Sequence, residues 1–171
     1  VSASTLNLGG TKITTLEALF NSAANGTLTS ITLPATLTEI AASALENCAA
    51  LTTVDLSACT ELATIRNSAF GTTSKLQTLN FSACTKLVNI NTTPFITGTT
   101  PNQVLTTVTL PASIKTIGTA FAKLPKLTAL DLSGTALTGL VEDCLDGSVL
   151  VTELTLPNTA WTLADNALRG S

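Results

Sequence analysis

The chain has 171 residues, of which 44% are hydrophobic and only 11% are charged, with a formal net charge of −3 and no histidine. This length suffices for one domain or a short repeat array, and the apolar fraction excludes a disordered chain. Eight scattered basic residues argue against a nucleic-acid partner, and no apolar run is long enough to predict a membrane span in this segment.

Short segments in which apolar and polar residues alternate recur along the chain, and each predicts a β-strand. We take the second apolar residue of each LxxLxL-like unit as its anchor. The anchors are separated by 25, 23, 25, 29, 22 and 24 residues. In chain order they are Leu6, Ile31, Val54, Leu79, Val108, Leu130 and Leu154. A period of about 20 to 29 residues with this pattern is typical of leucine-rich repeats.

Each unit continues in the same way after its strand. In the third unit, for example, the pair Leu62 and Ile65 follows, and a return segment then carries small Ala69 beside large Phe70. One coil cannot bury these residues alone, whereas stacked coils form a continuous core. The sequence therefore predicts an α/β solenoid: a right-handed superhelix of about seven coils, with a parallel concave sheet and short helices and turns on the convex face. We expect one domain over residues 1–171, which could be a segment of a longer protein.

A small residue able to form hydrogen bonds follows each strand unit. We expect these side chains to turn inward and to pair with backbone groups that would otherwise be buried without partners. This predicted structural ladder is Thr11, Thr36, Cys59, Cys84, Ser113, Thr135 and Thr159. Because stacked strands lie about 4.8 Å apart, the two cysteines should be neighbours. We expect reduced thiols, although a disulfide is geometrically conceivable.

The sequence predicts no catalytic, cofactor or metal site. Without histidine, the commonest general base and metal ligand is missing, and core cysteines are inert. The acidic residues Glu142, Asp143 and Asp146 lack the alternating, loop-supported spacing of a cation site. An enzyme is therefore not expected.

Binding is expected on the concave strands, through side chains that project between the core residues. On polarity alone, the candidate partner-binding residues are Asp55, Asn80, Asp131 and Glu153. The alternative is that the threonine-rich rows on these strands only pack across the sheet. A second candidate is the insertion at 91–104, in which Phe95 occupies a core slot. Trp161 could be an exposed anchor or a lid on the last coil.

Residues 28–50, LTSITLPATLTEIAASALENCAA, resemble the BspA-type, or treponemal-type, leucine-rich repeats of bacterial surface proteins. Segments 105–126 and 154–170 are similar, whereas 130–140 looks more like an ordinary leucine-rich repeat. The resemblance implies an exported, extracellular or cell-surface protein that mediates adhesion or binds host or bacterial surface proteins, without catalysis.

Two other functions remain open at this point. One is a structural spacer that presents another domain at the cell surface. The other is a carbohydrate-binding module, and a glycan partner is therefore possible. We rank the carbohydrate module last, because acidic and amide groups occur on the strands without the aromatic side chains expected beside them.

Overall fold

The computed structural model describes residues 4–18, 26–90, 92–149, 151–159 and 161–170. These residues form a β-solenoid in which seven three-residue strands carry the anchors. The strands are β1 (Thr5–Asn7), β3 (Ser30–Thr32), β5 (Thr53–Asp55), β7 (Thr78–Asn80), β10 (Thr107–Thr109), β11 (Ala129–Asp131) and β13 (Glu153–Thr155). We call the surface made by these seven strands the strand face.

The strand face is built from parallel strands in register, as the sequence predicts. Leu6 pairs with Ile31, and Ile31 pairs with Val54, so the anchors stack from coil to coil. The face consists of two sheets, one of β1, β3 and β5 and one of β7, β10, β11 and β13. No strand pairing joins β5 to β7. The strand face is therefore interrupted near its middle.

Shorter strands complete the coils. The second side of the solenoid carries β2 (Thr15–Leu16), β4 (Glu39–Ile40), β6 (Thr64–Ile65), β12 (Gly139–Leu140) and β14 (Thr162–Leu163), all paired in parallel. Within the insertion, β8 (Ile96–Thr97) and β9 (Thr100–Pro101) form an antiparallel hairpin.

The predicted convex helices are wrong, and with them the α/β class, because the described residues contain strands and turns but no helix. In the return segments, some backbone amides form hydrogen bonds to the next coil instead of within their own segment. Leu45 N–H donates to Ala69 C=O at 2.9 Å, and Asn47 N–H donates to Gly71 C=O at 3.2 Å. Those amides cannot also bond four residues back, as an α-helix requires. Ser43, with a φ of 57°, adopts the left-handed conformation that interrupts helical winding. Accordingly, nothing in the described residues has the helical length or apolarity needed to span a membrane.

The prediction of about seven coils is also wrong. The strand face has seven strands, but seven strands delimit only about six complete turns. The count from anchors included an end strand that begins no complete new turn.

Core side chains fill the space between the faces. A column of four rings runs through three coils, with centroids 6.0 Å apart for Phe81 and Phe70, 6.0 Å for Phe70 and Phe95, and 5.8 Å for Phe95 and Phe121. Phe95 is fully buried, as predicted, so the insertion begins from a core position. Such aromatic pairs add to the stabilisation from burial alone.

Candidate functional site

The four predicted partner-binding residues all lie on the strand face, but the structure brings only two of them together. Asp55 and Asn80 face each other across the unpaired junction of β5 and β7, where they line one cleft of about 190 Å³. Asp131 lies on β11, and Glu153 lies on the last strand, beside Ala129. Asn80, Asp131 and Glu153 are exposed, and Asp55 is half-buried.

The two aspartates also hold the turns that follow their strands. Asp55 Oδ1 accepts a bond from Ser57 N–H at 3.0 Å and one from its hydroxyl at 2.6 Å. Asp131 Oδ1 accepts a bond from Ser133 N–H at 2.9 Å. Because these bonds favour the charged form, the Ser57 hydroxyl and then its amide lower the pKa of Asp55, and Ser133 lowers the pKa of Asp131 in the same way.

Asn80 makes the same kind of turn, since its Oδ1 accepts a bond from Ser82 N–H at 2.9 Å. Asn7 does likewise with Gly9 N–H at 2.9 Å. These are Asx turns, in which a side-chain oxygen bonds the backbone two residues on. Only Glu153, among the four predicted residues, makes no such turn.

The sequence contains a pattern that predicts these turns, but a choice of residues by polarity alone does not use it. Four strands end in Asn or Asp, then an apolar residue, then Ser or Gly: residues 7–9, 55–57, 80–82 and 131–133. The other three end in Thr-Leu-Pro: residues 32–34, 109–111 and 155–157. Proline has no N–H, so those turns have no donor for an Asx side chain to accept. The polar residue at the strand end therefore follows the turn type.

The same two turn types divide the predicted ladder. In the four Asx coils the ladder residue donates its N–H to the apolar residue three positions earlier, at 2.8 to 3.0 Å. Those residues are Thr11, Cys59, Cys84 and Thr135. In the proline coils, Pro34 and Pro111 are themselves buried and fill the inward position.

Burial does not follow this division, because among the Asx coils Cys59 and Cys84 are buried whereas Thr135 is half-buried and Thr11 is exposed. Thr36 is exposed and donates its hydroxyl to Ile13 C=O at 2.7 Å. Ser113 is half-buried and donates to Leu87 C=O at 2.7 Å. Thr159 is exposed. Of the expected inward ladder, only Cys59 and Cys84 are fully buried.

The stacked cysteines are buried free thiols. Cys59 and Cys84 are both fully buried, and Cys59 Sγ–H donates to Pro34 C=O at 3.5 Å. Burial raises the pKa of Cys59 to about 11 and that of Cys84 to about 12. Thiols with such pKa values are poor nucleophiles near neutral pH.

The sequence analysis did not predict a buried polar cluster at the end of the insertion. Asn102 Nδ2 donates to Thr73 Oγ1 at 2.9 Å, and Asn102 Oδ1 accepts from Val104 N–H and Leu105 N–H, both at 2.9 Å. Thr73 and Asn102 are almost completely buried. The 29-residue spacing hides this contact, because the insertion shifts Asn102 out of the regular repeat.

The insertion at 91–104 is anchored along most of its described length; residue 91 lies outside the described residues. Ser68 Oγ–H donates to Ile96 C=O at 2.7 Å, and Thr97 packs directly over Gly71. Of its described residues, Gln103 and the hairpin tip are exposed, the tip being Gly98, Thr99 and Thr100. This candidate loop therefore offers a small tip on a fixed base.

Backbone pairing on the strand face fails at two junctions. At the other junctions, the residue after one strand donates its N–H to the last carbonyl of the next strand at 2.7 to 3.1 Å. The donor–acceptor pairs are Leu8 and Thr32, Leu33 and Asp55, Phe81 and Thr109, and Leu132 and Thr155. The equivalent bonds from Leu56 to Asn80 and from Leu110 to Asp131 are not formed. A cleft lies at each of these junctions.

The larger cleft lies between β10 and β11. These strands pair only at Thr107 and Ala129 and then diverge. The resulting groove has a volume of about 460 Å³ and is lined by residues that include Thr109, Pro111 and Asp131.

Comparison with known proteins identifies the repeat. The sequence model described as "BspA type Leucine rich repeat region" matches residues 12–99 and 99–171, with six copies. The chain belongs to the BspA-type leucine-rich-repeat family. No curated protein sequence is significantly similar to it.

Two solved structures share the fold of this BspA-type chain. A leucine-rich repeat protein of T. pallidum is 20% identical with a TM-score of 0.62, and the match covers 96% of this chain and 74% of that protein. A leucine-rich repeat protein of Bacteroides ovatus is 21% identical with a TM-score of 0.53, covering 85% of this chain and 42% of that protein. This chain thus spans less than half of the second relative.

The BspA-type scaffold offers binding groups more than reactive ones. Within the described ranges, no group of three or more Cys, Asp or Glu side chains could hold a metal ion. Arg169 forms ion pairs with Asp143 at 3.3 Å and Asp146 at 3.2 Å, so the acidic return segment is partly neutralised. Hydroxyls, carboxylates and open backbone groups converge instead on the strand face.

Proposed function

We propose that this chain is a non-catalytic protein-binding module of an exported bacterial protein, and that its ligand binds on the strand face. The supporting observation is the pair of junctions at which the backbone of an otherwise continuous parallel sheet is left open. Backbone donors and acceptors left open beside a strand can pair with the main chain of a partner. The carboxylates beside them add charge that a partner can match.

Surface proteins of the host or of neighbouring bacteria are the partners we propose. Family membership supports export, because BspA-type repeats are typical of exported and surface proteins. Protein is favoured over glycan because the strands present carboxylates, amides and hydroxyls without any aromatic side chain to stack on a sugar. The hairpin tip at residues 98–100 is a second contact point.

A structural spacer is the alternative function, and one specific observation favours it. Three of the four candidate side chains already hold Asx turns, so their presence is explained by folding alone. A spacer needs no partner on the strand face. The two functions therefore differ in whether removing charge from this face changes binding.

The experiment is binding of the purified domain to an array of matrix proteins, serum proteins, bacterial surface proteins and glycans. The test variant is Asp55→Asn/Asp131→Asn/Glu153→Gln, in which the new asparagines can still accept the turn bonds. The matched control is Glu46→Gln on the return turns. A protein hit that weakens in the test variant and persists in the control supports recognition. If the folded domain binds nothing on the array, the structural spacer is the supported function.

A further inference from the structure

The groove between β10 and β11 has the size of a binding site. Its volume of about 460 Å³ falls within the usual range of ligand pockets, roughly 300 to 1,000 Å³. The strands on either side are regular: β7 pairs with β10 over three residues, and so does β11 with β13. Within this four-stranded sheet, divergence is therefore confined to one junction, directly after Thr107 and Ala129.

The divergence leaves backbone groups open on facing walls, among them one donor and one acceptor that regular pairing would join. Leu110 N–H and Asp131 C=O would bond to each other if this junction followed the pattern of Phe81 and Thr109. An extended peptide presents alternating C=O and N–H groups and can satisfy both walls at once. These open groups favour a peptide backbone as the occupant.

The negative charge of Asp131 favours a basic side chain on that peptide. Among the described residues that line the groove, Asp131 alone is ionisable. Ser133 N–H uses Oδ1, and a carboxylate retains further acceptor sites for a cationic donor. The remaining walls are small or apolar, including Pro111 and Ala112, which suits the methylene stem of a long basic side chain.

We infer that the groove between β10 and β11 binds an extended segment of a partner protein that carries an arginine. The guanidinium pairs with the Asp131 carboxylate, while the peptide backbone accepts from Leu110 N–H and donates to Asp131 C=O. Arginine is favoured over lysine because its planar fork can donate two parallel bonds to one carboxylate. This inference rests on the proposed function and names the chemistry of its partner.

The test uses two synthetic peptides, acetyl-Thr-Val-Arg-Val-Thr-amide and its citrulline counterpart, which keeps the shape and loses the charge. Binding to the ¹⁵N-labelled chain is followed by amide chemical shifts. We expect the arginine peptide to shift the amides of Leu110 and Gly134. We expect citrulline to weaken binding about tenfold, the usual scale for a lost charge-assisted bond.

Variants locate the site. Asp131→Asn retains an oxygen for the Ser133 turn and should weaken binding of the arginine peptide about tenfold. Glu46→Gln removes one negative charge from the return turns and should leave this binding unchanged. Thr109→Arg places a competing guanidinium on the neighbouring strand and should block the groove.

The outcomes separate this inference from the proposed function. Equal binding of both peptides would overturn the role of arginine, and shifts that avoid Leu110 and Gly134 would overturn the site. A protein hit from the array that ignores Asp131→Asn but needs Asp55 or Glu153 would overturn this inference and leave the proposed function standing. Silence with both the array and the peptides would overturn both.

Discussion

Asn102 and Thr73 join two neighbouring coils inside the protein, with Asn102 Nδ2 2.9 Å from Thr73 Oγ1. The same asparagine accepts the amides of Val104 and Leu105, so one side chain ties the end of the insertion to the coil before it. A buried polar group with every bond made fixes one arrangement of the chain. The insertion is therefore part of the folded solenoid.

Asn102→Ala should destabilise the protein strongly. It strands buried backbone donors and the Thr73 hydroxyl, and a loss of about 3 kcal/mol in the free energy of unfolding is expected. Urea unfolding followed by circular dichroism measures the loss. Gln103→Ala, one residue away and exposed, is the control and should change stability by less than about 0.5 kcal/mol. Equal stability of Asn102→Ala and the natural chain would contradict the role assigned to the cluster.

Gly71→Ala should displace the hairpin. A Cβ at this position would collide with Thr97 Oγ1, and overpacking of this kind typically costs about 1 to 3 kcal/mol. The double variant Gly71→Ala/Thr97→Ala should recover most of that loss in urea unfolding. Gly10→Ala, where an added Cβ meets nothing within 4 Å, should be neutral. A double variant no better than the single one would show that the collision is not the cause.

The Asx turns should make stability depend on pH in acid. The bonds from Ser57 and Ser133 hold the pKa values of Asp55 and Asp131 below their ordinary value of 3.8. The unfolded chain therefore binds more protons just below that pH, so the stabilisation present above pH 3.8 is lost as pH falls through the folded pKa. Urea midpoints at pH 7 and pH 3 should differ less for Asp55→Asn/Asp131→Asn than for the natural chain. An equal change in urea midpoint for the variant and the natural chain would show that these turns do not lower the two pKa values.

The four cysteines should be unreactive in the folded protein. All are buried free thiols, and burial raises the pKa of Cys48 to about 11 and that of Cys144 to about 12. Labelling with a disulfide reagent at pH 8 should proceed only as fast as the chain unfolds, and in denaturant four thiols should react. Rapid labelling of the native chain would contradict the burial of these residues.

The sequence predicted the parallel strands and the core well, because apolar spacing determines both. The register of Leu6, Ile31 and Val54 follows from one repeated pattern. The prediction of helices was wrong at the return segments, because amides such as that of Leu45 form hydrogen bonds to the next coil. Residue preference within one coil carries no information about bonds between coils.

The candidate site was predicted only in part, because polarity located exposed groups without their local bonds. Asp55 and Asn80 were predicted as binding residues because they are polar. In the structure, each also accepts a hydrogen bond from the serine two positions later and so holds a turn. The open junctions could not be predicted, since Leu56 and Leu110 occupy the same sequence position as their paired counterparts. Whether a sheet stays closed depends on how neighbouring coils stack.

Amide hydrogen exchange of the residues that directly follow the strands is the most direct test of the open junctions on the strand face. We expect Leu56 and Leu110 to exchange at least about tenfold faster than Leu33 and Phe81, because only the latter two donate to the next strand. Equal protection of all four amides would mean that the sheet is closed, and it would contradict recognition through open junctions on the strand face.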